Sequence, residues 1–587
     1  MPRLSALAFG LALGLGNFVA IASCLQSTSS ARTLKDATPE PDWSRLLGMS
    51  YRFFEAQQSG RLPTWNRAAQ VNGGWRNDSH LFDGFGPAGI NTDLSGGLYD
   101  AGDHMKLHLP LGQALTTLAW GMLEFESAYR AAGQWDIAAA TLKRAARYLI
   151  KCHIVASDTA LENQFVAQVG AAEVDHAYWG RPEQQPERGA PETPGFRPVF
   201  VISALSPGAD IVGEAVSAMI AISFVLSKNG VQSDWPLAQQ LQARARQLLA
   251  FAKAAPGTWA PPYGKNAYPS SAYQDELTLA QLWMCRLDMA TSSTTALSAI
   301  CLEAVNNFQT SNAMLGGAIN WDWDNQQGST ALLLYSLRTT PQFANCIVCA
   351  SAMQRARSWA QDVLAHWQDT SRRCPMPDFS MCYTPGGLAW LTQWGSLRHT
   401  SNIALLAAVY ARELGPDVIA SPATLATTRR ANRCWVRSQL SYMAGSNPQK
   451  QSFVIGYLPS WVDSVPQRPH HRSASCSPDY SVPCNGNNAN SPDPSPSVLQ
   501  GALVGGPSSD DSYADVRGDY IRNEVALDYN AAFTGALASL VDTGLRLNQA
   551  GCSWDAYCAG GNTPCPCPCP GSPAPAPATY CSTAVES

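Results

Sequence analysis

The sequence predicts an all-α fold of about a dozen helices, arranged as an α/α barrel or toroid. Apolar residues recur at helical spacing through most of the chain, whereas strand signals are sparse. Gly/Pro/Asn-rich loops, several of them long, separate the helical segments. A length of 587 residues would suggest three or more domains of about 100–200 residues, but large barrels exceed that size as single units.

The helical spacing is clear in individual segments, as at Ile211, Ala215, Met219 and Ile222. Several segments are apolar on two sides, which is typical of buried helices. The predicted helices, in chain order, are 111–132, 137–152, 211–226, 238–253, 276–289, 294–308, 330–337, 352–366, 388–414, 431–444 and 526–548.

Composition excludes two classes of protein. Charged residues make up 14% of the chain and hydrophobic residues 45%, whereas a disordered chain needs high charge and low hydrophobicity. A net charge of −5 and a pI near 6.0 argue against nucleic acid as a partner. A neutral, hydroxyl-rich ligand fits better, because the many Trp and Tyr side chains can stack on flat apolar faces.

The N-terminus predicts a secretory signal peptide over residues 1–22. Arg3 precedes an apolar stretch that ends in Ala20-Ile21-Ala22, an A-x-A cleavage site. A membrane anchor and lipidation at Cys24 are the alternatives. We expect a secreted protein with no membrane segment in its mature form, and we expect a monomer.

Cysteine spacing predicts local disulfides within two pairs, Cys374/Cys382 and Cys476/Cys484, in an oxidising compartment. Cys346 and Cys349 form a CxxC without a second pair at zinc-finger spacing, so we do not expect a metal bound through sulfur. Residues 549–587 are predicted to be a Cys/Pro-rich linker or tail, and 485–497 a surface insertion. The domain between the two ends is predicted to span 40–548.

Two segments have the residue types of acid–base chemistry. Asp100 and Asp103 lie three residues apart in a Gly-rich turn, where two carboxylates could hold one water. Glu524 stands at the start of an apolar helix among Tyr and Asn residues, a setting that raises a carboxyl pKa. Spacing alone equally allows that these acids only cap helices or complement a helix dipole.

A third segment, Pro469-His470-His471-Arg472, lies in a loop. Adjacent His residues rarely share a face, so a metal site formed by both is not expected. A His and an Arg flanked by Pro fit a role in hydrogen bonding to a polar ligand or to a catalytic carboxylate.

Together these segments resemble glycoside hydrolase family 9, the inverting cellulases with an (α/α)6 barrel, a toroid of six helical hairpins. The resemblance covers the chain from about 43 to 541. Its blocks are DLSGGLYDAGDHMKLHLP (93–110), DHAYWGRPE (175–183), YQDEL (273–277), TPGGLAWLTQWGSLR (384–398), the His-bearing signature (452–472) and the acidic signature (513–531).

The resemblance implies a role for each matching residue. Asp103 would be the catalytic base, Asp100 its partner in orienting the water, and Glu524 the general acid. Further active-site residues would be His470, Arg472 and Asp515, which bind sugar hydroxyls or hold the acid in place. Residues that line the substrate cleft would be His176, Trp179, Trp394, Arg398 and Tyr520.

The resemblance also implies a structural calcium ion near the cleft, held by residues that match Ser271, Asp275, Glu276 and Asp322. The alternative is that these acids cap helices. No cofactor is expected for the chemistry itself.

The sequence therefore predicts a secreted, inverting endo-β-1,4-glucanase that hydrolyses cellulose-type chains. The alternatives are another β-glycan as substrate, such as mixed-linkage glucan, xyloglucan or glucosamine oligomers, or an inactive carbohydrate-binding protein. Three departures from the family pattern leave the substrate, and endo versus processive action, open. The segment after Glu183 lacks the acidic run that commonly follows this block. Residues 458–463 lengthen the His-bearing signature and could place Trp461 at a subsite, and 485–496 is an insertion near the active-site end.

Overall fold

The computed structural model describes residues 39–191, 193, 195–261, 267–311, 319–377 and 380–560. The chain divides into two compact units, Met1–Pro41 and Asp42–Ser587. Only residues 39–41 of the first unit are described, so the predicted signal peptide lies outside the described residues, as does 561–587 of the predicted tail.

Twelve helices of ten or more residues occur among the described residues of the second unit. They are α1 (Trp43–Ala56), α2 (His108–Glu124), α3 (Trp135–Cys152), α4 (Ala209–Lys228), α5 (Trp235–Ala254), α6 (Gln274–Thr291), α7 (Ala299–Thr310), α8 (Gln327–Ser336), α9 (Ala350–Gln368), α10 (Ser396–Glu413), α11 (Pro422–Met443) and α12 (Leu527–Gln549).

Six of these helices form a closed inner ring. Helix α2 packs against α4, α4 against α6, α6 against α8, α8 against α10 and α10 against α12, and α12 returns to α2. The other six pack outside the ring, with α1 on α12, α3 and α5 on α4, α7 on α6, α9 on α8 and α11 on α10. This arrangement confirms the predicted (α/α)6 barrel.

Ring helices are buried on almost every side because neighbours, outer helices and the barrel interior surround them. Every residue of α2 is buried. Among the described residues, helix α4 is the one helix that is long and apolar enough to cross a membrane. However, 94% of its most apolar stretch of 18 residues is buried inside the barrel. Its hydrophobicity is accounted for by its place in the ring.

The first outer helix, α1, was not among the helices predicted from the spacing. Asp42 caps it by accepting a hydrogen bond from the backbone N–H of Arg45, and its inner face buries Trp43, Leu46 and Phe53. Its apolar residues recur at helical spacing, so the sequence contained the signal for this helix and the prediction missed it.

Four predicted helix boundaries are wrong. The helix predicted for 294–308 begins only at Ala299, and the helix predicted for 431–444 begins earlier, at Pro422, where the Ser421 side chain caps it. The helix predicted from residue 388 begins only at Ser396, because Ala389–Trp390 forms strand β5 against β4 (Cys382–Tyr383) and Gly395 adopts a left-handed conformation. The helix predicted for 111–132 breaks at Phe125, where the backbone leaves helical geometry, and a short helix follows at Glu126–Ala131.

A small antiparallel sheet lies beside the first ring helix. Its strands, in order, are β1 (Lys106–Leu107), β2 (Phe165–Val169) and β3 (Val199–Ile202), and Lys106 pairs with Val169. Strand β1 lies between the Asp100/Asp103 turn and α2, so pairing with β2 fixes the chain immediately after that turn.

Disulfides Cys374–Cys382 and Cys476–Cys484 confirm the two predicted pairs. The CxxC closes as Cys346–Cys349, and Cys285–Cys301 and Cys434–Cys558 form as well. The last of these joins α11 to a short helix, Trp554–Ala559, whose residues Trp554 and Tyr557 are buried. The part of the predicted tail that is described, 549–560, therefore packs on the barrel.

Candidate active site

Three loops converge where α2 and α12 begin. The backbone N–H of Arg472 donates to the carbonyl of Gly102 at 3.0 Å, and that of Leu527 to the carbonyl of Asp100 at 2.9 Å. A side chain at Gly102 would place its Cβ 2.0 Å from the carbonyl oxygen of His470, so only glycine permits this approach. The three segments singled out by sequence thus meet at one end of the barrel.

Asp103 is an ionised carboxylate held by a histidine. His176 Nε2 lies 2.9 Å from Asp103 Oδ2, and the Met105 backbone N–H lies 3.3 Å from Oδ1. Burial would raise the pKa of Asp103, but the hydrogen bond and charge of His176 and the charge of Arg472 lower it to about 2. The same hydrogen bond raises the pKa of His176.

The surroundings of Asp100 shift its pKa in the opposite direction from that of Asp103. The hydroxyl of Tyr268 donates to its Oδ2 at 2.7 Å, and its Oδ1 is buried with no hydrogen-bond partner in the described part of the chain. Burial and the charges of Asp103 and Asp528 raise the pKa of Asp100 well above its ordinary value. Of the two neighbouring acids, Asp100 is therefore the one that holds its proton to the higher pH.

Glu524 lies in the same site. It forms an isolated β-bridge with His470, and it is close enough for the charge of Asp103 to act on it. The hydroxyl of Tyr529 donates to Glu524 Oε2 at 3.3 Å. Burial, followed by the charges of Asp103 and Asp528, raises the pKa of Glu524 to about 7. A carboxyl group that keeps its proton up to neutral pH can act as a general acid.

His470 is oriented by its ring nitrogen Nδ1, which donates to the carbonyl of Arg517 at 2.8 Å. Asp515 acts on the residues before it, because its carboxylate accepts the backbone N–H groups of Gln467 and Arg468, both at 2.9 Å. His471 points elsewhere, with Nε2 2.9 Å from Gln57 Oε1. Asp515 therefore positions the loop that presents His470.

Four of the predicted site residues form a row of rings. His470 lies 5.4 Å from Trp179 and 5.9 Å from Tyr520, and Tyr520 lies 5.6 Å from Trp394, measured between ring centroids. Trp394 is 44% exposed and Tyr520 50% exposed. The guanidinium of Arg472 lies 5.3 Å from the Trp179 ring centroid. Exposed rings beside the acids offer stacking faces for sugar rings.

Arg398, predicted to line the cleft, is buried. Its Nη1 donates to Asp528 Oδ2 at 3.0 Å, and its guanidinium lies 5.1 Å from the ring centroid of Tyr529. Asp528 also raises the pKa values of Asp100 and Glu524. Asp528 thus links the predicted cleft residue Arg398 to Asp100 and Glu524.

Sequence reasoning missed Tyr268, Asp528 and Tyr529. Asp528 and Tyr529 lie four and five residues after Glu524, within the acidic signature, so that segment contained the signal. Tyr268 precedes α6 in a loop with no motif spacing, and only the folded chain brings it to Asp100.

The predicted calcium ligands are brought together only in part. Asp275 and Glu276 begin α6, and Asp275 Oδ1 and both Glu276 carboxylate oxygens are buried without hydrogen-bond partners, as a hard cation would require. Asp322 lies near enough for its charge to act on Asp275, but its oxygens accept from Asn320 and Asp324. The backbone N–H of Ser271 donates to Asp324 Oδ1 at 2.6 Å. Within the described ranges no three His, Cys, Asp or Glu side chains are placed to share one metal ion.

Comparisons with known proteins agree with this geometry. The sequence profile described as glycosyl hydrolase family 9 matches residues 43–537. Endoglucanase A of Bacillus pumilus is 34% identical over 510 residues, which cover 85% of this chain and 66% of that protein, so the chain spans just under two thirds of its length.

Solved structures of similar proteins share the fold. An endoglucanase from the termite Nasutitermes takasagoensis superposes with a TM-score of 0.69 at 33% identity, covering 86% of this chain and 99% of that chain. The cellulase Cel9M of C. cellulolyticum, in complex with cellobiose, gives a TM-score of 0.65 at 28% identity, covering 85% and 98%. The chain therefore belongs to glycosyl hydrolase family 9 and is a glycoside hydrolase.

Proposed function

We propose that this protein is an inverting endo-β-1,4-glucanase that cleaves cellulose-type chains. Its similarity to proteins named endoglucanases, and to a cellulase whose structure contains cellobiose, supports the substrate class. The contrast between two buried carboxyl groups supports the mechanism most directly, because the pKa is about 7 for Glu524 and about 2 for Asp103.

In this mechanism Glu524 donates its proton to the departing glycosidic oxygen. Asp103, already ionised, accepts a proton from a water that attacks the anomeric carbon from the opposite face. Asp100, held by Tyr268, helps to orient that water, and His470 Nε2 faces the sugar hydroxyls. Sugar rings stack on the exposed row that includes Tyr520 and Trp394.

Secretion belongs to the same proposal. Five disulfides among the described residues support an oxidising compartment, where such bonds form and persist. The signal peptide proposed for 1–22 would deliver the chain there.

Two neutralising variants test the catalytic assignment. Glu524→Gln and Asp103→Asn are each expected to lower kcat on hydroxyethylcellulose by at least about a thousandfold, because each removes one proton transfer. Glu303→Gln, on outer helix α7, is the matched control and should retain wild-type turnover. Proton NMR of the first products of the wild type should show the α-anomer. Initial release of the β-anomer by the wild type, or near-normal turnover in either variant, would refute the proposal.

Calcium binding is proposed as a structural feature, with Asp275 and Glu276 as the residues that would hold the ion. If calcium binds the folded protein, a chelator should lower Tm and added Ca2+ should restore it. Asp275→Asn should lose this response to the chelator. An unchanged Tm in the wild type would remove calcium from the proposal without affecting the catalytic assignment.

A further inference from the structure

A cavity of about 440 Å3 lies on the outside of the barrel, between α3 and the glycine-rich turn that precedes Asp100. All four charged side chains that line it are cationic: Lys143, Arg144, Arg147 and Lys151. Spacings of four residues place three of them on one face of α3. The whole chain has a net charge of −5, so this positive cavity contrasts with the rest of the molecule.

The four cations differ in how well they are neutralised. Lys143 forms an ion pair with Asp234, and Lys151 Nζ lies 2.8 Å from Asp93 Oδ2. The guanidinium of Arg144 donates to the carbonyl of Ser59 at 2.5 Å, but its Nε is buried without a hydrogen-bond partner in the described structure. Burial lowers the pKa of Arg144 to about 10, so the group stays charged at neutral pH.

Arg147 is the cation most available to a ligand. Its side chain is exposed at the cavity, and no described residue forms a hydrogen bond or an ion pair with it. Arg144 and Arg147 together offer several N–H donors, and a guanidinium can bind a carboxylate through two parallel hydrogen bonds.

The remaining walls are apolar and aromatic. Trp65 and Tyr148 contribute rings, and Gly96 and Gly97 bring bare backbone against Tyr148. A Cβ at Gly97 would lie 2.6 Å from the Tyr148 ring, and its φ of 78° also favours glycine. The volume falls within the range of roughly 300–1,000 Å3 for small-molecule sites, larger than a bare oxyanion needs.

We propose that this cavity binds a hexuronate unit, a sugar with a carboxylate, of an acidic polysaccharide. Its carboxylate would bind Arg147 and Arg144, and its apolar face would pack on Trp65. A neutral glucose unit would leave the cations unused, and a simple oxyanion would leave the aromatic wall unused. Cellulose has no carboxylates, so this site would serve a ligand other than the substrate.

Titration calorimetry with sodium glucuronate tests the proposal, with glucose as the neutral ligand of matched shape. The wild type should bind glucuronate and not glucose at this cavity. Arg147→Gln should lower the affinity for glucuronate by at least about tenfold. Trp65→Leu should weaken it as well. Arg246→Gln, which removes an exposed arginine from outer helix α5, is the control and should bind like the wild type.

Three outcomes would overturn the proposal: equal affinity in the wild type and Arg147→Gln, equal affinity for glucose and glucuronate, or inorganic phosphate binding as tightly as glucuronate. The last outcome would mark a site for any anion. Arg147→Gln should leave the hydrolysis of uncharged hydroxyethylcellulose unchanged. Glucuronate binding that persists in Asp103→Asn would keep this site distinct from the proposed catalytic one.

Discussion

Glu524 retains its proton to near neutral pH because of its burial and the charge of Asp103, and a neighbouring ion pair adds to the effect. Arg398 would by itself lower the pKa of Glu524, but Asp528 neutralises that cation at 3.0 Å and adds its own repulsion. The third partner, Tyr529, contacts both Arg398 and Glu524. The proton on the proposed acid thus depends on a residue with no direct role in the chemistry.

Replacing Asp528 by Asn is expected to shift the alkaline limb of the pH profile. The wild-type kcat/KM should fall above about pH 7, because Glu524 must be protonated to donate. In Asp528→Asn the repulsion disappears and Arg398 is no longer neutralised, so the pKa of Glu524 falls and the limb moves at least about half a pH unit lower. The measurement is kcat/KM against pH on hydroxyethylcellulose.

The matched control is Asp542→Asn, which removes another buried aspartate of α12 from its ion pair with Arg546. Its limb should stay near pH 7. A uniform loss of kcat/KM in Asp528→Asn, with the limb unmoved, would show that Asp528 only supports the fold.

The sequence could predict the acids that lie in a motif, but not the residues that shift the pKa values of those acids. Asp100, Asp103 and Glu524 were singled out by residue type, and their roles were predicted from the resemblance to family 9. The structure brings their segments to one end of the barrel. The contribution of Asp528 depends on Arg398, 130 residues away, and that of Tyr268 on Asp100, 168 residues away. Tyr268 had no local signal, and the acidic signature marked the segment of Asp528 but not its pairing with Arg398.

At the scale of elements, the insertion at 485–497 supports the loop that carries His470. The buried guanidinium of Arg517 donates to the backbone carbonyls of Asn488, Ser491 and Asp493 and to the Ser495 hydroxyl. The carbonyl of the same residue accepts from His470 Nδ1. One residue therefore holds the insertion through its side chain and the histidine through its backbone.

Arg517→Gln is expected to release the insertion and leave the histidine in place. Most of the four side-chain hydrogen bonds would be lost, so the free energy of unfolding should fall by about 2–4 kcal/mol. Limited proteolysis should cut faster within 485–497, while the alkaline limb of the pH profile stays near pH 7. Arg246→Gln, which breaks one exposed ion pair, should cost less than about 1 kcal/mol. An unchanged cleavage rate in Arg517→Gln would contradict this anchoring role.

The limits of sequence prediction differ between helices and loops. Ring helices such as α4 and α12 were predicted because they are long apolar segments, and their predicted bounds differ by at most two residues from the observed ones. The end of the β4–β5 hairpin was predicted as helix, because a short buried strand and a buried helix share an apolar pattern. Trp461, considered for a subsite, packs beside Gly445, and its role stays a prediction.

At the scale of the whole molecule, the barrel is complete only when its last ring helix meets its first. Helix α12 packs against α2, more than 400 residues earlier in the chain. Beyond α12, the disulfide Cys434–Cys558 ties the short helix Trp554–Ala559 to α11, closing a segment of 124 residues. That bond restricts the unfolded chain around the closure point of the ring.

Removing this long-range disulfide is expected to destabilise the molecule more than removing a local one. Loop-closure entropy gives about 5 kcal/mol for the separation of 124 residues and about 2.5 kcal/mol for the separation of 8 at Cys374–Cys382. The paired variant Cys434→Ala/Cys558→Ala should therefore have a lower Tm than Cys374→Ala/Cys382→Ala when both are scanned at the same rate. Equal losses of Tm would contradict the prediction that the longer closed segment gives the larger stabilisation.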